Sequence, residues 1–163
     1  MNTSPKALLF KELQDRIKTE ASEIVWINQN LAQYLNDEKR KAMIFPCVLI
    51  DFPNTDYTAL QGDIQMGNAT IMVTLFFDIW NQTYHVAPNQ TIEDGLSYFD
   101  IEQKIYSCLQ GWAASFTQPL VRTNSKNQNI NDLGLRVIEL TFTTAYEDWT
   151  NNEDNYVGLG LNT

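Results

Sequence analysis

Between Ala42 and Gln103 the sequence contains no lysine and no arginine, although Asp51, Asp56, Asp63, Asp78, Glu93, Asp94, Asp100 and Glu102 all fall there. Phosphate backbones are held by Lys and Arg, so so long a stretch without either argues against tight general nucleic-acid binding. The charge is unevenly placed: 11 basic residues stand against 20 acidic ones for a formal net charge of -9, and after Arg136 the chain is again acidic only. One short basic cluster remains, Lys39-Arg40-Lys41. Such a run reads as a solvated loop, with contact to an acidic partner as its alternative role.

Histidine and cysteine are almost as scarce. Cys47, Cys108 and the single histidine, His85, cannot make an ordinary zinc site by themselves. Both cysteines sit in apolar segments, which favours buried reduced thiols over a disulfide or redox pair. A Gly-rich phosphate loop, a nucleophile elbow, HExxH and CxxC are all missing. Apolar runs stop well short of the roughly 18 residues that a membrane-spanning helix needs. The N-terminal MNTSPKALLFKELQDRIK mixes charge into its apolar positions and lacks a small-residue cleavage site, so an intracellular protein is expected.

What is present is enough for one core. The 163 residues are read as a single α+β domain over 1–150, followed by a mobile acidic tail over 151–163. Ser4-Pro5 is a good helix start, and Leu9, Leu13 and Ile17 repeat every four residues, which predicts a helix over Pro5 to Glu20. Ile24 to Ile27 reads as a short strand, and Asn28 to Ala42 as a loop with one helical turn. FPCVLIDF, 45 to 52, is apolar on both faces and is expected to stop at Pro53-Asn54. Gly67-Asn68 reads as a turn before a strand over Ala69 to Trp80.

A capping box at Thr91 and Asp94 is expected to open a second helix, with Ile101, Ile105, Cys108 and Trp112 as its buried stripe and Gly111 as its stop. Phe116 to Arg122 and Leu135 to Tyr146 read as a closing strand pair joined by the polar loop TNSKNQNINDLG. The expected fold is a mostly antiparallel sheet of four to six strands with two main helices packed on one face.

IMVTLFFDIW, 71 to 80, is apolar on both sides of the strand. Val73, Leu75, Phe77 and Ile79 should meet the helix stripe. Met72, Phe76 and Trp80 have no equally good internal partner in this reading, which makes them candidates for subunit contact. Lys39, Arg40 and Lys41, together with Asn127 and Asn129 of the polar loop, complete the set of candidate interface residues.

Catalytic candidates are sparse. His85 lies in a predicted loop without a spaced nucleophile, and Asp51 and Asp78 near strand ends would need to come together to act as an acid and base pair. No enzyme, cofactor or metal is expected.

The element order, with Phe45-Pro46 opening a strand of the form PxVxI, VTLFFDIW over 73–80 and IEQKIYSCL over 101–109, resembles the tail-completion or tail-terminator proteins of long-tailed bacteriophages. The likeness runs from Pro5 to Asp148. It implies a virion structural protein without catalysis, assembled in the bacterial cytoplasm: a tail terminator, tail-completion or head-tail connector subunit. Such a subunit forms a ring, typically a hexamer, that caps the tail tube, meets tube and neck proteins, and passes DNA through its lumen without reading its sequence. The competing expectation is a stand-alone α+β domain that binds a small ligand or peptide in a deep apolar pocket.

Overall fold

A computed structural model describes residues 4–129 and 131–151. Helix α1 spans Pro5–Glu20, as its spacing predicts, and Leu9, Leu13 and Ile17 are fully buried. Ser4 takes the N-cap backbone conformation ahead of Pro5, but its side chain makes no capping bond. Strand β1, Trp26–Gln29, starts two residues later than Ile24. A 3-10 turn at Gln33–Leu35 and a single-turn helix α2, Asp37–Arg40, follow. Asn36 caps α2 through bonds from the Glu38 and Lys39 amides to its Oδ1.

Strand β2 runs over Cys47–Ala59 and β3 over Gln65–Phe77. They form one long antiparallel hairpin, closed where the Leu60 amide donates to the Ile64 carbonyl and Gly62 takes φ +65°. Pro53-Asn54 therefore does not end the strand. The register shifts between Asp51 and Asn54 instead, so the proline, which has no N–H to give, sits in a bulge. Pro46 immediately precedes the first ladder pair, Cys47 with Phe76.

Gly67 is likewise no turn. It lies inside β3 between Tyr57 and Tyr146, and a Cβ there would meet Tyr57 Cε1 at 3.0 Å and Tyr146 Cζ at 3.1 Å. The glycine is there for space. At the other end β3 stops at Phe77, three residues before Trp80, and Arg136 Nε donates to the Ile79 carbonyl at 3.1 Å.

Helix α3 spans Asn89–Leu109 behind Pro88. The Thr91 and Asp94 capping box does not form, because the helix begins before Thr91 and Asp94 Oδ1 accepts from Gln90. Gly111, at φ +74°, follows the helix end and donates its amide to Leu120. Strands β4, Val121–Asn127, and β5, Arg136–Asp148, close the fold. The first five residues of the expected polar loop are thus an edge strand with a bulge at Thr123, and no further strand pairs with its outer edge among the described residues.

The sheet order is β1-β2-β3-β5-β4, antiparallel except for the parallel β1 and β2 pair. On one face Val48, Ile50, Ile71, Val73, Leu75, Phe77, Ile138, Leu140 and Phe142 form the main core with α1 and α3, including Ile105 and Cys108. The match between strand 71–79 and the helix stripe is as the spacing predicts. Gln14 Nε2 ties α1 to the Ile27 carbonyl, and Arg16 Nε ties it to the Cys108 carbonyl, each at 3.0 Å.

Candidate functional site

The second face of the sheet divides into two halves. At the Phe76 end the chain covers itself, since Met43, Cys47, Leu49, Phe76, Leu135 and Val137 form a second buried cluster against Trp26, Tyr34 and Phe45. Tyr34 packs on Phe76 with ring centroids 4.9 Å apart and planes tilted by 44°. The expectation that Phe76 lacks an internal partner is corrected here, because the polar-looking segment 28–42 folds back over it. Its few apolar residues at irregular spacing concealed that role.

The other half of this face is uncovered. Strand alternation places Asp51, Asp56, Thr58, Met66, Asn68, Thr70, Met72, Glu139, Thr141, Thr143, Ala145 and Glu147 on it, with Lys126 as the one basic strand residue there among the described residues. Met72 is half-buried among these neighbours. The face is largely polar and acidic.

Trp80 is 68% exposed. Its ring lies over Gly134, where a Cβ would come within 2.7 Å of it. Arg40 is committed to its own segment through the Tyr34 carbonyl at 2.9 Å and Asp37 Oδ1 at 2.6 Å, whereas Lys39 and Lys41 are exposed. Asn127 and Asn129 hold the β4–β5 loop together: Asn127 Oδ1 accepts from the Asn129 amide, and Asn129 Oδ1 from the Val137 amide. The structure therefore does not gather the eight candidates into one place. Further exposed apolar residues lie outside the set, among them Leu31, Leu35, Ile44, Leu96 and Phe99. Leu96 and Phe99 fall off the Ile101, Ile105 and Cys108 stripe, which is the signal that could have marked them.

The acid pair does not form. Asp51 pairs with Met72, six positions before Asp78, so about 20 Å of extended strand separates them at ~3.3 Å per residue. His85 is exposed in the loop before α3. The two cysteines occupy different clusters, and burial pushes the Cys47 thiol up to about 12 and that of Cys108 to about 11. No group of acids, histidine and cysteine able to hold a metal ion occurs among the described residues. Clefts of about 580 Å³ and 510 Å³ mix charged and apolar linings: Asp37, Arg40 and Asp132 stand with Tyr34, Leu35, Leu133 and Val137 in the first, and Lys6, Asp63 and Asp148 with Pro5, Tyr57 and Tyr146 in the second.

No family model matches the chain, and no curated protein matches it. Its fold, however, has a match among solved structures. A chain of the virion of a native gene transfer agent particle superposes with a TM-score of 0.52 at 10% sequence identity. The alignment covers 90% of this chain and 100% of that one, so the likeness is one of whole folds. No helix among the described residues is long and apolar enough to cross a membrane.

Proposed function

We propose that this chain is a structural subunit of a phage-type virion, a ring-forming tail-terminator or connector protein that caps the tail tube and joins it to the neck. The observation that carries the reading is the end-to-end fold likeness to a chain of a gene transfer agent virion. Two further features support it. β1 and β4 are the edge strands, with no further strand beside either among the described residues, and large apolar side chains stand exposed on both layers around the sheet. The uncovered acidic half of the second face suits a ring lumen, where it would repel passing DNA instead of holding it.

Mixing the purified chain with a phage-type tail-tube protein, followed by negative-stain electron microscopy, tests the role. The reading expects rings, hexameric by preference, seated on tube ends and tubes of bounded length. Tubes that grow as freely with the chain as without it would count against it.

A further inference from the structure

Two exposed surfaces lie on opposite sides of the sheet and carry complementary chemistry. The first is on the segment that covers Phe76. Leu35 and, just past that segment, Ile44 are 65% and 60% exposed, and between them in the chain Lys39 and Lys41 are exposed without a carboxylate partner among the described residues. Asp37 does not neutralise them, because it is taken up by Arg40, and Glu38 is the one other acid of α2.

The second surface is on α3, in the helix layer of the opposite face. Leu96 and Phe99 are exposed there. Glu93, Leu96 and Asp100, at i, i+3 and i+7, form one row on the helix with both acids in solvent. α3 carries no cation before Lys104, and Lys104 is bound to Glu23.

Because the sheet lies between them, the two surfaces cannot meet within one chain. The α3 surface does not suit a copy of itself, since a two-fold contact would face its carboxylates with no cation before Lys104 to answer them. A contact of the first surface on one subunit with the second on another is heterologous, and heterologous contacts that close make rings. We infer that the partner of each surface is a second copy of this chain, with Lys39, Lys41, Leu35 and Ile44 of one subunit docked on Glu93, Leu96, Phe99 and Asp100 of the next. The inference rests on the ring reading and names its contact.

Charge exchange tests it. One variant carries Lys39→Glu with Lys41→Glu, a second carries Glu93→Lys with Asp100→Lys, and circular dichroism checks that both are folded. Sedimentation velocity on each alone should show the half-assembly concentration raised more than about tenfold, since like charges facing across a contact are strongly unfavourable. An equimolar mixture should recover assembly, because each variant then offers the surface that the other lacks. Variants that assemble like the unmodified chain, or a mixture that stays dissociated, would overturn the contact while leaving the ring reading standing. An unmodified chain that never assembles would remove both.

Discussion

Tyr57 and Tyr146, 89 residues apart, meet hydroxyl to hydroxyl at 3.0 Å over the bare backbone of Gly67. The pair locks the far half of the β2–β3 hairpin to β5, beyond the reach of the main core. A methyl group at Gly67 would press on both rings. Gly67→Ala should therefore cost about 1–3 kcal/mol, the usual range for overpacking, in urea unfolding. An unchanged midpoint would mean that the rings yield freely.

Burial, followed by the bond to Tyr57, raises the Tyr146 hydroxyl above its ordinary value of 10.0. The neutral phenol is thus favoured in the folded state. Its contribution is present in full below pH 10 and declines as the pH rises through the folded value, because the unfolded chain releases that proton first. Tyr146→Phe should flatten the alkaline fall in thermal midpoint above pH 10, which differential scanning calorimetry can follow. An identical fall in the variant would assign it to other groups.

Phe76 and Trp80 should respond in opposite ways. Phe76 is fully buried in the second cluster, so Phe76→Ala should cost about 3–5 kcal/mol in unfolding experiments. Trp80→Glu removes an exposed ring and should shift stability by about 0.5 kcal/mol or less while weakening self-association. Equal loss of fold in both variants would place Trp80 in the core as well.

Gly134 takes φ +65° directly beneath Trp80. Gly134→Ala meets two obstacles together, a backbone region unfavourable to alanine and a Cβ contact of 2.7 Å with the ring. A loss of about 1–2 kcal/mol is expected in chemical unfolding. Pairing it with Trp80→Ala should recover part of that loss, and a strictly additive double variant would show that the ring is not involved.

The parts of the fold that could be read in advance are those where one local pattern had no rival. α1 announced itself through Ser4-Pro5 and the Leu9, Leu13 and Ile17 repeat, and the α3 stripe through Ile105 and Cys108. The misplacements came from residues with two meanings. Pro53 and Gly67 are turn formers by habit, but here one fills a bulge and the other makes room for two tyrosines contributed from elsewhere in the sheet. Only the tertiary partners decide between those uses.

Of the candidate surface, the apolar character of strand 71–80 was visible, but not what covers it. Segment 28–42 looks like loop because its covering residue Tyr34 is isolated among polar neighbours. Asn127 and Asn129 were legible as polar, yet their acceptors serve the loop itself. The expected tail lies, from residue 152 onward, outside the described residues.

Ring formation is tested most directly by the mass of the purified chain in solution. Sedimentation equilibrium over a wide concentration range, with and without the tail-tube protein, should find a closed assembly whose mass is a small whole multiple of 18.7 kDa, six being the multiple expected from the family resemblance. A single 18.7 kDa species under every condition would contradict the account.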